Sequence, residues 1–196
     1  LEQAYLTHAA AKTSAASKCT GCKLALPKTS AENTLISNLI TGFPASGFQV
    51  SGKYGSLGLA LLGIEGVSDD ATYLNYFNMS GSQIGVEDIF NFYPAVLTSW
   101  THSYNGWGPS RPVADFVCNA GTVQRHGAMY READTTCSPS TCAIGTWRDV
   151  CEEDAYPYVV ECPNSTYAYC QCLDVPPPPT QSEVAYALRD VVFYEE

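Results

Sequence analysis

Nine cysteines, Cys19, Cys22, Cys118, Cys137, Cys142, Cys151, Cys162, Cys170 and Cys172, carry the most chemistry in this chain, and seven of them crowd into residues 118–172. Thiols at that density act as metal ligands, redox couples or disulfides, and their spacing separates the three. Metal boxes join two C-x-x-C units or mix Cys with His. Here one C-x-x-C (Cys19 to Cys22) and one C-x-C (Cys170 to Cys172) stand without a histidine near either. A zinc site of Cys19, Cys22, Cys170 and Cys172 is the metal alternative; KCTGCK is the redox alternative, with no β-α-β pattern around it. Two N-x-S/T sequons, at Asn78 and at Asn164 inside the cysteine cluster, point instead to the secretory route, where disulfides form and persist. The expectation is disulfides from eight of the nine cysteines, glycans on Asn78 and Asn164, and no metal or other cofactor. Cys170 and Cys172 share one strand face and need different partners. Pairing that doublet with Cys19 and Cys22 would tie the two ends of the chain together.

With three histidines in the chain, acid–base catalysis has few players. His126 stands near Arg125, Arg131 and Glu132, and His102 among Trp100, Tyr104 and Trp107. His126, His102 and Glu132 are therefore the catalytic candidates, against a simpler reading as surface turns with ion pairs. Asp69-Asp70 and Glu152-Glu153-Asp154 could hold calcium or act as paired carboxylates, and solvated acidic turns are the simpler reading there. Nucleophile-elbow, zincin, dinucleotide, phosphate-loop and EF-hand signatures are absent from the sequence. The segment SWTHSYNGWGPSRP (99–112) has a binding character. Trp100, Tyr104 and Trp107 offer flat faces beside Asn, Ser and His groups, which suits sugar rings and extended peptides. The competing reading has these rings plugging the core beneath an irregular loop.

The elements that must position these residues are read from periodicity. LEQAYLTHAAAKTSAASK is rich in alanine and lacks Gly and Pro, which predicts a helix from the start of the chain. Thr29-x-x-Glu32 is a capping box before Leu35, Ile36, Leu39 and Ile40, and Gly42 ends that helix. Recurrent glycines over 42–68 predict turns and short strands. GVEDIFNFYPAVLTSW (85–100) has near-helical apolar spacing broken at Pro94, predicting a kinked core helix. YPYVVEC and TYAYCQC are the strand candidates. VPPPPTQ is a stiff spacer before a capping box, Thr180-x-x-Glu183, and an apolar stripe of Val184, Leu188 and Val191.

The resulting expectation is an α+β, disulfide-rich fold. It comprises a helical segment at 1–42, a loop-rich and short-stranded body at 43–175, and a spacer with a helix or strand at 176–196 docked on the body or a partner. A net charge of −10 argues against nucleic acid, and no apolar run reaches membrane-spanning length. All five lysines lie in the first 53 residues beside only Glu2 and Glu32, so the basic start should pair with the acidic remainder or with a neighbour. Leu1 in place of Met, with no leader-like head, predicts a mature secreted chain. The function these features predict is an extracellular binding or assembly component, oligomeric or not, whose partners are other protein subunits or an extracellular glycan. A small secreted hydrolase of glycans or phosphoesters is the first alternative, and a metal- or redox-active cysteine protein the second.

Overall fold

The computed structural model describes residues 2–42, 58–68, 73–88, 96–109, 111–112, 126–135 and 141–163. Its axis is strand β3 (Leu59–Ser68), formed by the longest apolar run. Leu59, Ala60, Leu61, Leu62 and Ile64 are fully buried. Alternate side chains serve two cores: Leu59 and Leu61 enter one, and Ala60, Leu62 and Ile64 enter the other. A strand covered on both faces needs no polar alternation, which is why the run is continuous.

On one edge β3 pairs antiparallel with β7 (His126–Tyr130), which pairs in turn with β8 (Trp147–Val150). Its other edge first meets β9 (Tyr156–Tyr158) in parallel, Leu61 opposite Tyr158, and then β4 (Tyr73–Asn78) antiparallel from Ile64 to Ser68. From β4 the sheet continues through β5 (Gln83–Asp88) to β6 (Val96–Trp100), and from β9 to β1 (Glu2–Leu6), making eight strands. A second, two-stranded sheet pairs β2 (Lys23–Leu24) with β10 (Val160–Glu161).

Helix α1 (His8–Lys18) lays Ala11 and Ala15 on the core that holds Leu59, Leu61, Tyr130, Tyr156 and Tyr158. Small side chains let it sit close, and Tyr158 donates its hydroxyl to Ser14 Oγ at 2.7 Å. Helix α2 (Ser30–Thr41) covers the opposite core with Ile40, Ile36 and Leu39. Its cap is the one read from sequence: Thr29 Oγ1 accepts the Glu32 N–H at 3.1 Å, and Glu32 Oε2 accepts the Lys28 N–H at 2.6 Å. Leu35, read as part of the apolar stripe, is 55% exposed, and Asn33 is buried in its stead.

The expected α+β fold with a helical amino-terminal part is overturned, since the described residues are mostly β-sheet with two short helices. Two elements carry the difference. Residues 2–6 are a strand because Glu2 and Leu6 pair with Tyr158 and Tyr156, and that long-range pairing outweighs local alanine-rich composition. The kinked helix expected over 85–100 is replaced by β5 and β6, with Gly85 opposite Trp100 and Val86 opposite Ser99. β5 buries Ile84 together with Gly85 and a fully buried Glu87, so its burial follows no apolar alternation. Pro94, the TYAYCQC strand, the polyproline spacer and the stripe at 184–191 lie outside the described residues.

Cys22 is bonded to Cys162, and Cys19, Cys142 and Cys151 are in disulfides as well. Cys22 thus takes Cys162 rather than Cys170 or Cys172, beside the β2–β10 pairing. With Cys19 and Cys22 both oxidised and not to each other, neither the zinc box nor a C-x-x-C redox couple forms there. The basic start folds back on the acidic body through Lys12–Glu65 at 2.7 Å and Lys23–Glu161 at 3.2 Å. No helix among the described residues is long and apolar enough to cross a membrane.

Candidate functional site

The aromatic segment after β6 is pinned at both flanks by backbone groups. His102 Nε2 bonds the Pro27 carbonyl at 2.8 Å, and Ser103 Oγ donates to the Lys28 carbonyl at 2.8 Å. These contacts dock the loop on the entry to α2. Further along, the Trp147 N–H donates to Gly106 O at 2.7 Å and the Gly108 N–H to Trp147 O at 2.9 Å, so the loop runs as a short parallel bridge beside β8. Only glycine fits at 106, because a Cβ there would overlap the Trp147 indole.

Trp147 is the hub of an aromatic cluster. It is fully buried, and its Nε1–H donates to Asn33 Oδ1 at 2.8 Å, while Asn33 Nδ2 donates to Gly145 O at 2.9 Å. Tyr104, Trp107 and Trp100 meet its ring edge-on at centroid distances of 5.6, 5.9 and 6.2 Å, a geometry that aromatic quadrupoles favour. These three rings are partly buried against the core. The Trp100 Nε1–H donates to Tyr104 O at 3.0 Å. The Trp107 Nε1–H is buried and has no hydrogen-bond partner among the described residues, a cost of about 1–3 kcal/mol.

Buried charge lies beneath. Tyr76 donates its hydroxyl to the fully buried Glu87 at 2.7 Å, and burial, then the Glu87 and Asp149 charges, push the phenol well above its ordinary range. Arg111, at the end of the loop, lies 3.6 Å from Asp149 on β8. On the opposite face of β8, Arg148 lies 3.6 Å from Asp134 and over the Tyr130 ring. Tyr130 donates to Asp134 at 3.1 Å. Burial raises its pKa to about 12, against the lowering pull of Arg148 and Arg111.

The catalytic candidates are not brought together. His126 is buried at the start of β7 with its ring stacked on that of His8. Glu132 is exposed and pairs with Arg131, and His102 is engaged with Pro27. Of the acidic residues, Asp154 is buried and accepts the Tyr156 hydroxyl at 3.1 Å, while Asp69-Asp70 lies outside the described residues. Among the described residues no group of three His, Cys, Asp or Glu is placed to hold a metal ion. Asn78 ends β4 at the turn into β5, its Oδ1 accepting the N–H groups of Ser80 and Ser82 at 2.9 and 3.0 Å. Asn164 lies outside the described residues. Sequence reading missed Trp147, Asn33, Arg148 and Asp149; the one local signal was a polar Asn33 next to the apolar stripe of α2.

No family model matches the chain, and no curated protein matches it. Among solved structures the chain is similar to CEL-IV, with 15% identity, a TM-score of 0.48, and coverage of 81% of this chain and 82% of that chain.

Proposed function

We propose that this chain is a secreted, N-glycosylated, disulfide-stabilised binding or assembly component whose ligand surface is the loop from Trp100 to Pro112, and that the ligand is an extracellular glycan. The observation that carries this reading is the group of partly buried Trp100, Tyr104 and Trp107 rings, packed edge-on around the buried Trp147 on one rigid loop. A sugar stacked on the exposed parts of these rings would gain apolar contact. Loop rigidity supports the reading too, because the backbone bonds to β8 and to residues 27 and 28 leave little ordering cost on binding. The disulfides on Cys19, Cys22, Cys142, Cys151 and Cys162 favour an oxidising compartment. The hydrolase alternative loses ground, since its histidines are stacked or engaged with backbone.

Titrating the full chain with a panel of oligosaccharides, read by tryptophan fluorescence, tests the proposal. Trp107→Ala is expected to weaken binding about tenfold or more, the value of roughly 1.4 kcal/mol, with circular dichroism unchanged. Absence of binding across the panel, or full affinity in the variant, sinks it.

A further inference from the structure

His8 is the first residue of α1 and His126 the first of β7, and their rings stack in parallel with centroids 4.0 Å apart and planes 2° apart. Both are buried, His8 at 1% exposure. The His8 Nε2–H donates to the Leu62 carbonyl on β3 at 3.2 Å. That bond commits the neutral ring to one tautomer and leaves Nδ1, which is buried and has no hydrogen-bond partner among the described residues. A proton added at Nδ1 would meet no acceptor among the described residues and would have a second imidazole against the ring's face. It would also sit at the positive end of the α1 dipole.

Among the described residues, the Leu62 carbonyl and Glu65 offset the burial cost only in part. On α1, Lys12 adds a second cation one turn away, and on β3 Glu65, across the ladder from His126, is already paired with Lys12. The tyrosines of β9, Tyr156 and Tyr158, pack under α1 with their hydroxyls bonded to Asp154 and Ser14. On β8, Val150 stands opposite His126. At the other end of the same unit, just beyond α1, Cys22 is covalently held to Cys162.

We propose that β1 and α1 form an acid-released flap, latched at the stacked His8–His126 pair and tethered by the Cys22–Cys162 disulfide. Protonation of His8 ejects its ring from the stack, and α1 lifts from Leu59, Leu61 and Tyr158 while the covalent tether keeps it on the molecule. The His8 pKa is held down at about 4, first by burial, so the release belongs to the range below its ordinary value of 6.5.

Hydrogen exchange on the full chain with disulfides intact, at about pH 7 and about pH 4.5 and corrected for intrinsic exchange, tests the latch. Amides of Ala11 to Lys18 are expected to lose protection about tenfold or more at the lower pH, the factor that one pH unit of linked proton uptake supplies. Amides of β7 and β8 should keep theirs. His8→Phe preserves ring stacking and the Lys12–Glu65 pair but cannot take up a proton, and its α1 should stay protected in acid. Equal α1 protection at both pH values, simultaneous loss in α1, β7 and β8, or acid loosening of His8→Phe like that of the wild type would each overturn the proposal. Should His8→Phe fail to fold, the His8 ring resonance of the wild type decides: titration below about pH 5 with loss of α1 protection supports the latch, and any other result overturns it.

Discussion

Burying an imidazole at a helix start, with no acceptor for a second ring proton among the described residues, makes His8 a base that folding keeps neutral. Its folded pKa of about 4 lies below the 6.5 of the exposed group, so between those values the unfolded chain binds the extra proton. Stability tied to His8 is therefore complete above about pH 6.5, falls as pH drops towards about 4, and changes no further below that. The gap corresponds to a loss on the order of 3 kcal/mol. Urea titrations across that range should show the decline in wild type and a flatter curve in His8→Phe; parallel curves would discard the assignment. Other buried charges are tolerated for the usual reason, a close partner: Glu87 with Tyr76, Asp149 with Arg111, Asp134 with Arg148 and Tyr130. His126 looked reactive in sequence because of Arg125, Arg131 and Glu132. Its environment is set instead by His8, far away in the chain, and no local pattern announces such a neighbour.

The elements divide by where their information lies. Helix α2 was legible because its start signal is local: Thr29 and Glu32 bond backbone groups within four residues. Thr29→Ala should lower stability by about 1 kcal/mol, measurable as a shift in the denaturant midpoint at constant slope; an unchanged midpoint would mean the cap contributes nothing. Strands β1, β5 and β6 were illegible for the opposite reason. β1 pairs with the distant β9, and β5, though it pairs with its sequence neighbours β4 and β6, buries Gly85 and Glu87 beside Ile84 in place of an apolar repeat. The aromatic loop falls between these cases. Its composition marked it as a unit, yet its rigidity comes from β8 and from Gly106, whose missing side chain makes room for Trp147.

At the scale of the molecule, the Cys22–Cys162 bond spans a sequence separation of 140 and sits beside the β2–β10 pairing, holding the amino-terminal unit to the end of the described chain. Cys22→Ser should cost about 2–5 kcal/mol, seen as a lower thermal midpoint than wild type under oxidising conditions; equal midpoints would show that the second sheet suffices alone. Disulfide bonding, the return of the basic start onto acidic partners such as Glu65 and Glu161, and the α2 cap could all be read directly, because composition, charge and capping act over short range or in bulk. Strand order, the choice of Cys162 as partner for Cys22, the stacking of His8 on His126 and the hub role of Trp147 were decided only in the tertiary structure. Each joins residues remote in sequence, and such pairings are selected by the packing of two cores against β3 rather than by any feature of the segments themselves.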